Sequence, residues 1–239
     1  MIDGRRVLAI IPARAGSKRV KDKNIKELGG KPLICWTLQS LKLSKYVDDA
    51  FVSTDSLQIQ HISEKYAIDC LPLRSAELAT DTASTIDVVL DILNRIKVGF
   101  DIVLILQPTS PFRTAHDIDE ALELLIKKNA KSVISVCESD AHPSWTLRLD
   151  ENLDMDELVK NFQSKRSQDL EKYYRLNGAV YVATVSEVLK ARSFYIKDKT
   201  VAYIMKKVDS IDIDSEEDFY FAKLLMTDRI LNNLYPNKI

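Results

Sequence analysis

The sequence predicts an α/β fold, a mostly parallel sheet with helices on both faces. Short apolar runs bounded by turn residues alternate with longer segments of helical period along most of the chain. The run Val7–Ile11 is continuously apolar and Asp101–Leu106 nearly so, as expected of buried strands. A chain of 239 residues can bury one large core, so residues 1–239 are read as a single domain.

In chain order, Val7–Ile11 is the first strand and Pro32–Leu43 reads as a helix. Ala50–Ser53 is a second strand, and Ser53-Thr-Asp55 can cap the helix after it. Ile68–Leu73 is a short third strand, closed by Pro72. Thr85–Lys97 places Ile86, Val89, Leu90 and Leu93 on one helical face. The strand Asp101–Leu106 breaks at Gln107–Arg113, a loop stiffened by Pro108 and Pro111. A helix at Ala115–Lys128 and a strand at Lys131–Val136 follow. Periodicity then lapses. Residues 139–175 are polar and too long for an idle connection, so they are read as an insertion that pairs with a second subunit, lids a site, or both. Regular structure resumes with a strand at Asn177–Ala183, a helix at Ser186–Arg192, a strand at Thr200–Met205 and a helix over Ser215–Leu231.

Composition excludes some classes. Hydrophobic residues make up 46% and charged residues 29%, with a formal net charge of -1, so there is no basic footprint for nucleic acid. No apolar run reaches the roughly eighteen residues of a membrane span, and the N-terminus runs straight into the first strand, leaving no room for a secretory signal. Cys35, Cys70 and Cys137 are scattered and odd in number, which points to free thiols in a reducing, cytoplasmic setting. His61, His116 and His142 lie far apart, with no spacing for zinc or a nucleophilic triad.

The first loop is the strongest functional signal. Ala13, Ala15, Gly16 and Ser17 let a ligand approach the backbone, and Arg14, Lys18, Arg19, Lys21 and Lys23 supply cations suited to polyphosphate. The loop leaves the carboxyl end of a strand, where open parallel sheets bind ligands. An ordinary basic surface turn would read the same way by charge count alone. Gln107 leaves the strand Asp101–Leu106 at the same edge, with Thr109 and Ser110 held between prolines. Asp212 and Asp214 stand two apart in an apparently extended stretch, on one face, and such a pair suits Mg²⁺ bound partly through substrate phosphates. Capping of the last helix explains Asp214 or Ser215 equally well, but leaves Asp212 idle.

The opening loop, Arg74–Ser84, Leu106–Arg113, Asn177–Tyr181 and Asp209–Asp214 together resemble, in content and order, the N-acylneuraminate cytidylyltransferase family, the CMP-sialic acid synthetases and their relatives for nine-carbon acidic sugars. The resemblance implies a Rossmann-like nucleotidyltransferase with a small dimerisation insertion, Mg²⁺ dependence and a homodimer. It also implies a reaction of CTP with a sialic-acid-like 2-keto sugar. By position, Ala13, Arg14, Ala15, Gly16, Ser17, Lys18, Lys23 and Asn24 match the triphosphate loop, and Arg74, Ser84 and Thr85 match the cytidine end. Gln107, Thr109, Ser110, Arg175, Asn177 and Gly178 match the sugar end, and Asp212 and Asp214 the metal carboxylates. Arg14, Lys18, Lys23 and Arg166 are the residues it assigns to catalysis. Two places depart from the family pattern: Arg19 and Lys21 stand where glycine and proline are usual, and Ser167 precedes Gln168, with Arg166 one step earlier. A cytidylyltransferase for the eight-carbon Kdo and a non-catalytic CTP-binding homologue are the alternative readings.

Overall fold

The computed structural model describes residues 1–70, 84–96, 99–149, 151–161 and 170–234. Strand β1 (Val7–Pro12) lies inside the sheet, and Val7 to Ile11 are fully buried. Its side chains separate by parity. Val7, Ala9 and Ile11 enter one core, while Leu8 and Ile10 enter the other. A sheet covered on both faces demands this continuous apolar run.

The hairpin β2 (Glu27–Leu28) and β3 (Lys31–Pro32) stands apart from the main sheet. β4 (Asp49–Ser53), β5 (Asp69–Cys70), β6 (Ile102–Ile105), β7 (Ser132–Glu138), β8 (Tyr174–Thr184) and β9 (Thr200–Ile204) join β1 in a seven-stranded sheet of order β5-β4-β1-β6-β8-β7-β9. Every pairing is parallel except those of β8, which runs antiparallel to both β6 and β7. β8 follows β7 in sequence and pairs with it antiparallel, as a strand that returns beside its predecessor does.

One face carries α1 (Leu33–Lys42), α2 (Leu57–Lys65) and α4 (Ala115–Lys127), through Ile34, Leu38, Ile59, Ile118 and Leu122. The other carries α3 (Thr85–Arg95) and α6 (Val185–Ala191), through Val89, Ile92 and Val188. The short α5 (Asp156–Asn161) lies between β7 and β8, and α7 (Glu216–Leu234) is the last described helix. A third, smaller core gathers Val20, Leu28, Leu33, Phe112, Ile213, Phe219, Ala222 and Met226. It joins the first loop, the double-proline loop and the acidic segment to α7.

The α/β expectation therefore holds, with adjustments. β8 begins at Tyr174 rather than Asn177, because its first residues pair with Cys137 and Glu138 at the end of β7. Part of the stretch read as insertion is thus sheet. The helix expected over Thr85–Lys97 ends at Arg95, and the strand expected at Ile68–Leu73 is described only as Asp69–Cys70. Among the described residues Cys35 and Cys137 are buried free thiols and Cys70 is a half-buried one. No described helix is long and apolar enough to cross a membrane.

Helix α4 supports β7 and β8 from below, and its start is a reciprocal cap. Thr114 Oγ1 accepts from the Asp117 N–H, and Asp117 Oδ2 accepts from the Thr114 N–H at 2.8 Å. Thr114→Ala should lower the unfolding free energy by about 1–2 kcal/mol. A urea melt reads it; an unchanged midpoint would show that the cap contributes nothing here.

Candidate functional site

The first loop leaves β1 at the sheet edge where β4 and β6 also end. Its backbone is tied down before any ligand arrives. Ala13 donates its N–H to Ser53 O at 2.9 Å, and Ala15 to Asp55 Oδ1 at 2.7 Å. Asn24 is buried and its amide donates to Arg14 O at 2.8 Å, so Asn24 shapes the loop that carries Arg14 and Lys18. A Cβ on Gly16 would meet nothing within 4 Å. The loop thus holds its cations on a backbone fixed by its own hydrogen bonds, with open space beside Gly16.

The acidic segment near the other end of the chain lies against this loop. Lys23 Nζ donates to Ile213 O at 2.5 Å and sits 3.3 Å from Asp214 Oδ1. Arg19 stands 3.6 Å from Asp214 Oδ2. The stretch is not a strand, yet it alternates as one: Ile213 is fully buried while Asp212 and Asp214 turn the other way. Capping is performed elsewhere. Ser215 and Asp218 close a reciprocal cap on α7, through Asp218 N–H to Ser215 Oγ at 3.1 Å and Ser215 N–H to Asp218 Oδ2 at 2.8 Å. Neither Asp212 nor Asp214 is needed for it.

Asp212 is the more sheltered carboxylate, and its Oδ1 is buried with no hydrogen-bond partner. Burial pushes its pKa up; the neighbouring Asp214 adds to this, and Thr109 and Lys23 oppose it. A buried, partnerless carboxylate oxygen beside a second carboxylate suits a hard divalent cation that takes its remaining ligands from phosphate and water. Among the described residues no third acidic, histidine or cysteine side chain completes a metal-ligating group with this pair.

Next to Asp212, Gly178 holds φ +72°, and a Cβ there would lie 2.8 Å from Gln107 Oε1 and 3.3 Å from Asp212 Oδ2. Gln107, Gly178 and Asp212 therefore meet. Asn177 does not face the ligand space. It is 1% exposed, with its amide donating to Ser210 Oγ at 3.0 Å and its carbonyl accepting from Ser135 Oγ at 2.6 Å. Its groups hold β8, β7 and the acidic segment together. Ser110 is likewise fully buried, with Oγ unpartnered, and Thr109 contributes its backbone carbonyl to the Ile213 N–H at 2.9 Å. Arg175 turns away to Asp140, 3.6 Å distant. Ser84 caps α3 by accepting from the Asp87 N–H at 3.3 Å. Arg74 and Arg166 lie outside the described residues.

Beside Gln107 opens a cavity of about 350 Å³ that Thr85, Ile86, Tyr181, Ser193, Phe194 and Tyr195 also line. The rings of Phe194 and Tyr195 meet that of Tyr181 edge to face, 6.2 and 6.4 Å between centroids. Burial raises the Tyr181 hydroxyl far above its ordinary pKa, so it stays a neutral donor. Sequence reasoning missed this aromatic wall, although Tyr181 ends one of the quoted blocks and Phe194-Tyr195 is an aromatic pair just after a helix. The site as a whole has a cationic loop with two carboxylates at one end and an aromatic recess at the other. Among the described residues, none of its side chains forms a nucleophile–base pair.

The profile of the cytidylyltransferase family matches residues 8–223. The CMP-N,N'-diacetyllegionaminic acid synthase of Legionella pneumophila is 41% identical over 232 residues, covering 92% of this chain and 96% of its own. The N-acylneuraminate cytidylyltransferase of Streptococcus agalactiae serotype V is 38% identical over 215 residues, 89% of this chain but 51% of its own length. In fold, the chain is similar to a CMP:2-keto-3-deoxy-manno-octonic acid synthetase solved with CTP, at TM-score 0.69 and 14% identity over 94% of this chain and 99% of that one.

Gly178→Ala should cost about 1–2 kcal/mol from the left-handed backbone alone, and should also displace the Gln107 side chain. Equilibrium unfolding measures the first, and the chemical shift of the Gln107 side-chain amide reports the second. Asp212→Asn should raise the melting temperature of metal-free protein at pH 7, since it removes a desolvated charge beside Asp214. An acid whose folded pKa is raised weakens the fold as pH rises through that value. The gain should therefore shrink on acidification, in melts recorded with a chelator.

Proposed function

Since the chain belongs to the cytidylyltransferase family, we propose that it joins CTP to a nine-carbon 2-keto sugar acid of the sialic-acid type, releasing pyrophosphate and the CMP-sugar. The observation that carries this reading is the meeting of Lys23, from the first loop, with Ile213 and Asp214, 190 and 191 residues later. The similar legionaminate and N-acylneuraminate enzymes support the nine-carbon substrate.

The anomeric hydroxyl of the sugar attacks the α-phosphorus of CTP in line, and pyrophosphate leaves. Such a transfer asks mainly for positioning and neutralisation of charge. Arg14, Lys18 and Lys23, with the Gly16 N–H and the loop geometry set by Ala13, Ala15, Ser17 and Asn24, hold the triphosphate and take up charge on the leaving group. Thr85 and the start of α3 flank the approach to the recess, with Ser84 fixing the helix end. Gln107 and the backbone at Gly178 orient the sugar, whose acyl substituents fit the recess of Tyr181, Phe194 and Tyr195. Asp212 and Asp214 would hold Mg²⁺, which when bound supplies charge neutralisation on phosphate oxygens and acidifies the attacking hydroxyl. Lys23 keeps its bond to Ile213 O and exchanges its longer contact with Asp214 for phosphate oxygens when the nucleotide binds.

The protein acts in the cytoplasm as a homodimer. Exposed Leu149, Leu153 and Val159 within 139–175 support pairing with a second copy, since apolar side chains this open are otherwise left in water.

The test is pyrophosphate release from CTP and Mg²⁺ with a panel of legionaminic, neuraminic and pseudaminic acids and Kdo. Release should require both the metal and one of the nine-carbon acids. Asp212→Asn should lower the rate at least 100-fold, on the scale of removing a group that stabilises transition-state charge, while the folded protein persists. Turnover of Kdo alone, or none with any acid, would overturn the reading.

A further inference from the structure

Arg113 is 2% exposed, and burial lowers its pKa to about 9, with Asp117 opposing, so it stays a cation at neutral pH. Its partners are neutral oxygens. Nη1 donates to Gln107 O at 3.1 Å and to Ala179 O at 2.8 Å, and Nη2 donates to Thr37 Oγ1 at 2.7 Å. Nε is buried with no partner. The carboxylate of Asp117 is engaged by the Thr114 N–H and the Tyr203 hydroxyl.

A buried cation without a paired carboxylate is a costly way to fill a core, and an apolar side chain would do that more cheaply. The arrangement yields geometry instead. One nitrogen fixes the distance between two carbonyls, one on the loop that carries Gln107 and one on the residue after Gly178. Those two segments touch, because the Gln107 side chain passes close over the bare Cα of Gly178 and beside Asp212. Their spacing decides where the Gln107 amide points. Thr37 anchors the guanidinium plane to α1, outside both segments.

We propose that Arg113 is a positioning residue that sets the register between Gln107 and Gly178 and thereby the sugar end of the site. This rests on the proposed cytidylyltransferase reading. Lysine at this position offers one nitrogen on a flexible stem in place of a planar fork, and cannot span both carbonyls and the threonine.

The experiment compares wild type with Arg113→Lys and Thr37→Val in two measurements. The first is hydrogen–deuterium exchange on the ligand-free chain, which needs no substrate. Faster exchange confined to 107–113 and 177–183, with 7–11 unchanged, is expected; uniform loss of protection or no change overturns the proposal. The second is steady-state kinetics below the melting temperature of each variant. The sugar KM should rise about tenfold or more in Arg113→Lys, since displacements near 1 Å can cost up to about 100-fold, and by less in Thr37→Val, while the CTP KM stays within about twofold. Equal rises in both KM values, or a lowered melting temperature with unaltered kinetics, overturn it. Should Arg113→Lys fail to fold, Thr37→Val carries both measurements. A wild type inactive on every acid sinks the cytidylyltransferase reading alone, and the exchange pattern still decides whether Arg113 sets the register.

Discussion

The site depends on how Ile213 is held. Its side chain is fully buried in the third core, its N–H donates to Thr109 O, and its carbonyl accepts from Lys23. Apolar packing and two hydrogen bonds thus pin one residue, and its neighbours on both sides are Asp212 and Asp214. With Ile213 pointing into the core, alternation of the extended chain turns both carboxylates outward. The same core contains Val20 of the first loop and Phe112 of the double-proline loop. Apolar packing therefore brings the charged segments together, and electrostatics only finishes the arrangement.

The two ends of the site are built on different physics. At the loop end, Arg19 and Asp214 are exposed, and their mutual attraction is screened. Asp214 is 58% exposed at its side chain, so its pairing with Arg19 is readily exchanged, while Lys23 is 12% exposed and also held by Ile213 O. This is a reasonable resting state for groups proposed to take up phosphate and metal. At the recess end, contacts are aromatic and geometric. Tyr181 packs between Phe194 and Tyr195, and Gln107 lies over a glycine that leaves no room for a methyl group. Loose charges and a stiff recess suit a reaction whose main demands are neutralisation and alignment.

Polar groups, one buried and one partly exposed, support this stiffness without facing the ligand space. Asn177 ties Ser135 of β7 to Ser210 of the acidic segment. Arg229 of α7 stacks 4.6 Å from the Phe112 ring and bonds Asp209. Buried polar side chains that are fully bonded specify one arrangement of the chain segments they join. A glycine, a glutamine and an aspartate held by such braces can meet closely although they come from three distant parts of the sequence.

The alternation of apolar runs and helical periods was enough for the α/β class, most strand positions and the helices, because these follow from local patterning and burial on both faces. The cationic loop, the Gln107 turn and the Asp212–Asp214 pair were legible for the same reason: each is a short run whose chemistry is local. The division of labour within the blocks was not. Asn177, Asn24 and Ser110 look like ligand contacts in sequence, yet tertiary packing buries all three. The antiparallel course of β8, the recess walled by Phe194 and Tyr195, and the buried guanidinium of Arg113 were likewise decided only by the fold. Each depends on which remote segment lies opposite, and residue type sets what a side chain can bond while the packed chain alone sets what lies within its reach.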